Sequence, residues 1–345
     1  MESMISVVVP CYNAEKTINR TINSLRNQTE KRFQIVLVDD GSNDGTSQLC
    51  DEYSQNDPRV KVIHQKNRGL MGAWKQGVIE ADGQYIAFCD ADDYVDADFI
   101  ERVGFVVNEY SPDIIVFGMM SEYPNGDIVR SYNVLNPGCY DERDIKELIL
   151  PKLLSDGSME SQLIIKSRCS KVFKKSILLR IIPALDEKIS LGEDQLTMFA
   201  SVQIAKSLFC MGDYCPYHYI RTPESMIGQF DPLVFNKIDN LYEEMNRLSL
   251  LFSYDYPDQV LYDRLSVTLV YLKKYICKST GGFQSIRPTL CRVRNSTGFI
   301  RCIEKCSIGG YSRKSRFFLL LFIKRYYYLM FFITKMLDSV RGRVV

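Results

Sequence analysis

Tyr85-Ile86-Ala87-Phe88-Cys89-Asp90-Ala91-Asp92-Asp93 decides the reading of this chain. The five residues before Asp90 form an apolar run, the character of a strand buried on both faces of a parallel sheet. The run stops at three carboxylates within four positions. Carboxylates so crowded repel each other unless a cation joins them. Hard oxygen ligands suit Mg²⁺ or Mn²⁺, bound by one or two carboxylates together with phosphate oxygens. Taken alone, the same cluster reads equally as a wet acidic turn, so its weight depends on its surroundings.

Those surroundings alternate. Residues 5–9 are a β-branched run closed by Pro10, and Asn13 stands where it would cap a helix starting near Ala14, with Ile18, Ile22 and Leu25 on one face. Residues 34–38 form a second buried strand. It ends in the turn cluster Asp39-Asp40-Gly41-Ser42-Asn43-Asp44-Gly45, where Asn43 or Asp44 caps the next helix, over 46–54. A strand at 60–64, a helix at 70–80, the strand at 85–89, a helix at 97–109 and a strand at 114–117 follow. This alternation predicts a parallel α/β sheet, whose ligands bind beyond the carboxyl ends of the strands. Cys11-Tyr12-Asn13, Asp39-Asp40 and Asp90 to Asp93 all fall at such ends.

Asn125-Gly126 and Asn136-Pro137-Gly138 are turn signals that suggest an antiparallel excursion, followed by a helix at 194–205 and strands at 207–211 and 216–220. From about Asp231 the pattern is helical. The expected organisation is an α/β domain over 1–228 and a helical region over 229–345.

The composition is that of an ordinary globular protein, with net charge +1, 46% hydrophobic and 25% charged residues. No whole-protein field favours nucleic acid. Eleven scattered cysteines beside two histidines give no zinc spacing and suit a reducing compartment. Met1-Glu2-Ser3-Met4 lacks the basic and apolar regions of a signal peptide, so the expected location is cytoplasmic.

The C-terminal stretch is basic: Arg313, Lys314, Arg316, Lys324, Arg325, Lys335, Arg341 and Arg343. The uncharged runs between them fall short of the ~18–20 residues that cross a bilayer. On a continuous helix over 312–337, Arg313, Lys324 and Lys335 repeat at nearly three turns, given ~3.6 residues per turn. The charges would then form one stripe beside large apolar side chains. Such a helix suits the inner surface of an anionic membrane; the bland reading is a terminal helix packed on the protein.

Among other candidates, an Asp40 or Asp39 carboxylate can accept a hydrogen bond from a base N–H. Glu193-Asp194 precedes a helix, where the dipole favours the anion; it is either a cap or a general base for an acceptor hydroxyl. His64 ends a strand and reads as structural. His218 either donates to a phosphate or packs between Tyr217 and Tyr219.

Five segments together resemble the family 2 inverting glycosyltransferases of GT-A fold. They are Ser6-Val7-Val8-Val9-Pro10-Cys11-Tyr12-Asn13, Val38-Asp39-Asp40-Gly41-Ser42-Asn43-Asp44-Gly45-Thr46, Asn67-Arg68-Gly69, Ala81-Asp82-Gly83-Gln84-Tyr85-Ile86 and Asp90-Ala91-Asp92-Asp93. Order and spacing match over about 4–95, and more loosely to about 228. The resemblance implies a Rossmann-like, mainly parallel mixed sheet flanked by helices. It implies transfer of a hexose or N-acetylhexosamine from a UDP-sugar, with Mg²⁺ or Mn²⁺, to a lipid-linked or oligosaccharide acceptor of surface polysaccharide assembly. Pro10 and Tyr12 would border the uracil, with Asp40 at its N3–H and Asp39 beside it. Asp90 would lie near the ribose or diphosphate, and Asp92 would hold the metal. Asp194 would be the base, with Asp93 and Glu193 near the acceptor or donor sugar. Arg221, with Ser225, would meet the diphosphate, and Ser167-Arg168-Cys169-Ser170-Lys171-Val172-Phe173 resembles the segment before the acceptor site.

In one place the chain departs from the family. Many members carry Ala-Arg-Asn-x-Gly where this chain has Ala73-Trp74-Lys75-Gln76-Gly77, so the fork of an arginine is replaced by a point charge at Lys75. The rivals to this reading are a sugar nucleotidyltransferase, which lacks its Gly-rich phosphate loop here, and a degenerate nucleotide-binding membrane scaffold. An NAD oxidoreductase would need G-x-G-x-x-G after the first strand, which is missing.

Overall fold

A computed structural model describes residues 4–156, 163–222 and 230–341. The chain divides into two compact units: Met1–Leu150 with Leu163–Arg221, and Pro151–Gln162 with Thr222–Val345.

The first unit holds both sheets. Its strands are β1 (Ile5–Cys11), β2 (Phe33–Asp39), β3 (Val60–His64), β4 (Tyr85–Phe88), β5 (Tyr94–Val95), β6 (Ile114–Val116), β7 (Met119–Glu122), β8 (Ile128–Ser131), β9 (Gly138–Asp141), β10 (Lys171–Lys174), β11 (Ser207–Cys210) and β12 (Tyr217–Ile220). The main sheet runs β3-β2-β1-β4-β10-β6-β11-β9, and a small one runs β5-β12-β7-β8. β1, β2, β3 and β4 pair in parallel, as the alternation requires. β1 is buried at every position because both its faces are covered.

The sheet is mixed because β10 lies antiparallel between β4 and β6. Residue patterning missed β10: Lys171-Val172-Phe173-Lys174 is short and begins and ends in lysine. Only its tertiary neighbours make it a central strand.

The longer helices of this unit are α1 (Ile18–Arg26), α2 (Thr46–Asn56), α3 (Gly69–Glu80), α4 (Phe99–Tyr110), α5 (Lys175–Ile181) and α6 (Glu193–Ile204). α1 starts four residues later than expected. Asn13 does not cap it but adopts a left-handed backbone (φ 49°), and its side chain accepts the Asn43 N–H at 2.8 Å. Asp44 does serve the start of α2, accepting the Thr46 N–H at 3.0 Å.

α3 packs flat on the sheet through Gly77. A Cβ there would meet Val8 Cγ1 at 2.3 Å and Val38 Cγ2 at 3.1 Å. Gly77→Ala is therefore expected to cost about 1–3 kcal/mol through overpacking, measured by denaturant unfolding. An unchanged midpoint would mean that the helix can slide off the sheet freely.

The second unit contains α7 (Val234–Leu251), α8 (Pro257–Lys278), α9 (Phe283–Asn295), α10 (Thr297–Lys305), α11 (Arg313–Ile323) and α12 (Tyr327–Arg341). The single helix expected over 312–337 is two helices, because Arg325 takes a left-handed conformation (φ 65°) between them. The charged stripe does not survive this break. Lys335 turns inward and donates to the carbonyls of Cys277 and Ser279 (2.9 and 2.8 Å), where it caps the C-terminus of α8. Arg343 lies outside the described residues. Among those residues no helix is long and apolar enough to cross a membrane.

Candidate active site

The carboxyl ends of β1, β2 and β4 lie side by side, since Cys11 pairs with Asp39 and Val8 with Phe88. The loops after β1 and β2 are laced together. Asn13 N–H donates to Ser42 Oγ at 3.1 Å and Ala14 N–H to Thr46 Oγ1 at 2.7 Å. This holds Tyr12 out at the mouth, 51% exposed, while Pro10 is buried within β1.

The two aspartates after β2 differ. Asp39 is spent locally: Oδ1 accepts the Ser42 N–H at 3.0 Å, and Oδ2 faces His64 Nδ1 at 3.0 Å. Burial opposes its ionisation, but these hydrogen bonds outweigh it and hold the carboxyl below its usual range. His64 is pushed up by the same contact and by Asp51, as a structural histidine would be. Asp40 is also buried. Its Oδ1 accepts from Gln65 Nε2 (2.6 Å) and the Arg68 N–H (2.8 Å); no such bond occupies Oδ2 among the described residues.

Beyond β4 the chain turns tightly, with the Asp93 N–H donating to the Asp90 carbonyl at 3.1 Å. Asp92 points outward and is exposed, yet burial of its surroundings still raises its carboxyl above the usual value. Asp90 is pushed to about 6 by burial, with Arg168 opposing and Asp194 adding to the rise. Asp93 is fully buried. It accepts the Tyr217 hydroxyl at 2.5 Å and the Ile220 N–H at 2.8 Å, and burial with the neighbouring Asp90 and Asp92 pushes it to about 8. Burial is the main cause of all three rises, and neighbouring carboxylates add to those of Asp90 and Asp93, a charge that a cation would relieve. Among the described residues no three His, Cys, Asp or Glu side chains form a ready-made metal cage. The hard oxygens of Asp90 and Asp92 are of the type that Mg²⁺ or Mn²⁺ takes one or two at a time beside phosphate oxygens.

Asp194 arrives from the other side of the sheet order, in the first turn of α6 after Gly192 (φ 78°). Arg168 Nη1 stands 2.8 Å from Asp194 Oδ1, and Nη2 3.7 Å from Asp90 Oδ1. The cleft thus joins the end of β4 to the start of α6 through a buried cation that residue patterning did not single out. Glu193 is buried next to Asp194 and pushed to about 7 by burial and by that neighbour.

Four further side chains have partners around the cleft. Lys75 is buried and donates to the Leu185 carbonyl at 2.5 Å, with Glu187 at 3.6 Å, so the departure in α3 supports the loop before α6. Arg68 pairs with the same Glu187 at 2.8 Å. His218 faces Glu122 at 2.6 Å and Asp96 at 3.0 Å and stacks on Tyr94 at 4.1 Å, which favours the packing role. Arg221 lies over the rings of Tyr219 and Tyr123, at 4.9 and 5.6 Å. Ser225 lies outside the described residues. All eleven cysteines are free thiols.

A mainly parallel mixed sheet with acidic turns at its carboxyl edge and a helical region after it is the GT-A type of glycosyltransferase. The sequence profile of Glycosyl transferase family 2 matches residues 6–181, and this chain belongs to that family. It is 30% identical over 233 residues to the glycosyltransferase GlyG of Streptococcus pneumoniae serotype 4, covering 67% of this chain and 75% of GlyG. It is 31% identical over 174 residues to GlyA of the same organism, half of this chain but a quarter of GlyA. The solved structure of S. aureus TarS 1–349 matches with TM-score 0.64 at 19% identity, over 99% of this chain and 91% of that one. That likeness shows the fold. TarS 1–349 has also been solved with UDP and with UDP-GlcNAc. Family membership removes the nucleotidyltransferase reading: the chain is a glycosyltransferase.

Proposed function

We propose that this glycosyltransferase is inverting and metal-dependent, and moves a hexose or N-acetylhexosamine from a UDP-sugar to a glycan hydroxyl. One observation carries the proposal: Asp194 meets the carboxyl end of β4 across Arg168, beside an outward-facing Asp92. Asp194 takes the proton of the acceptor hydroxyl, whose oxygen attacks the anomeric carbon opposite the diphosphate. The transition state resembles an oxocarbenium ion and the configuration inverts.

Asp40 meets the uracil N3–H through Oδ2, between Pro10 and Tyr12. Asp39, whose oxygens are engaged, shapes the turn that presents Asp40. Asp90 lies toward the ribose and diphosphate, Arg221 toward the phosphates, and Asp93 and Glu193 behind the sugar. Asp92 would hold Mg²⁺ or Mn²⁺, which when bound neutralises charge on the departing UDP. The complexes of TarS with UDP and UDP-GlcNAc, and of the Pyrobaculum calidifontis mannosyltransferase PcManGT with GDP-Man and Mn²⁺, support this chemistry. Screening UDP- and GDP-hexoses with Mn²⁺ for protection against heat is expected to pick out a UDP-sugar. At ligand about 100-fold over Kd the stabilisation is ~2.7 kcal/mol. Protection by GDP-sugars alone would overturn the choice of nucleotide.

The proposed setting is assembly of a surface polysaccharide on a lipid-linked acceptor at the inner membrane face. Support comes from α11 and α12: Phe317, Tyr328 and Phe332 stay more than half exposed, on helices flanked by Arg313, Lys314 and Lys324. Exposed aromatic side chains beside cations suit an anionic interface. Deleting 312–345 is expected to move the protein from the membrane pellet to the soluble fraction; an intact protein already fully soluble removes this part of the proposal.

A further inference from the structure

Arg168 is 1% exposed, one of the largest side chains sealed inside the α/β unit. A guanidinium never gives up its charge, so its burial demands compensation. It has two carboxylates, Asp194 at 2.8 Å and Asp90 at 3.7 Å, and two rings, Trp74 at 5.5 Å and Phe88 at 5.0 Å. Its Nε and Nη1 make no aligned hydrogen bond, and neither do Asp90 Oδ1 and Asp194 Oδ1. Charge and ring faces therefore set the position of a sealed guanidinium whose two carboxylate partners stay partly open to solvent.

The segment that carries it is also tied down. Ser167 Oγ accepts the Cys169 N–H at 3.2 Å, and the Ser170 hydroxyl donates to the Ser167 carbonyl at 2.9 Å. The buried Lys171 donates to the carbonyls of Ser167 (2.7 Å) and Ile165. These bonds close the short turn from beneath and leave Arg168 little freedom.

We infer that Arg168 is a positioning residue for transfer: it fixes Asp194 through Oδ1 and leaves the partly exposed remainder of that carboxylate to take the proton. This rests on the reading of Asp194 as the base. Lysine could keep the charge but not the planar fork that spans two carboxylates.

The test uses the full chain with UDP-Glc, UDP-Gal, UDP-GlcNAc and UDP-GalNAc in turn, with water as the accepting hydroxyl and UDP release as the readout. The kcat and donor KM of Arg168→Lys, Arg168→Ala and Asp194→Asn are measured beside UDP binding by calorimetry. Arg168→Lys is expected to lower kcat about 10–100-fold, the scale of a misplaced catalytic group, with donor KM and UDP affinity within about threefold of the parent. Arg168→Ala should lose more and recover part of its kcat in ~50 mM guanidinium, far below the denaturing range. An Arg168→Lys enzyme with parental kcat, or a loss confined to donor KM or to thermal stability, overturns the inference. If Arg168→Ala does not fold, Arg168→Lys decides alone. An active Asp194→Asn enzyme would instead remove the base assignment, so the two failures are distinct.

Discussion

Asp194→Asn is expected to lower turnover by about 10²–10⁴-fold, the usual contribution of a positioned general base. Asparagine keeps the size of the side chain and one oxygen beside Arg168, but not the negative charge that pairs with the guanidinium. With that charge goes the capacity to bind a proton. Asp194 lies in the first turn of α6, whereas the residues proposed to meet the nucleotide follow β1, β2 and β4. UDP affinity should therefore hold within about threefold, and a fall in kcat with unchanged donor KM marks an interaction made only in the transition state. Unchanged turnover would remove Asp194 from the mechanism. Glu193, buried and raised to about 7, would then be the next carboxylate to test.

Asp92→Ala is expected to remove most of the effect of Mn²⁺ on UDP binding. Among the carboxylates after β4, Asp93 is committed to Tyr217 and Ile220, and Asp90 faces Arg168. Asp92 alone stands exposed at this turn. Loss of outer partners of a metal ligand already costs 10–100-fold in affinity, so loss of the ligand itself should cost about 100-fold or more. Calorimetry of UDP with and without Mn²⁺ reads this directly. A Mn²⁺ effect that survives intact in Asp92→Ala would move the ion to another ligand, with Asp90 first in line.

The alternation of buried runs and turn clusters made the parallel half of the sheet legible, because a strand covered on both faces has to be apolar throughout. β10 was not legible: Val172 and Phe173 between lysines carry no periodic signal, and Lys171 is buried only because nearby carbonyls receive its ammonium. The tail was legible in composition but not in shape. Its 11-residue spacing assumed one helix, and the left-handed turn at Arg325, with Lys335 bound to the end of α8, broke the stripe.

In the site, the sequence alone brought forward Asp90, Asp92 and Asp194 as carboxylates at element ends, where local rules favour anions or crowd them. It determined the family, the acidic carboxyl edge of the sheet and the types of group available. Only the tertiary structure decided which of them meet. Asp90, Arg168 and Asp194 are scattered along the chain, and no local pattern specifies that a buried guanidinium on a short turn will lie between two carboxylates and two rings. Antiparallel β10 carries that turn to the carboxyl edge of β4, and long-range packing of this kind is what neither composition nor spacing encodes.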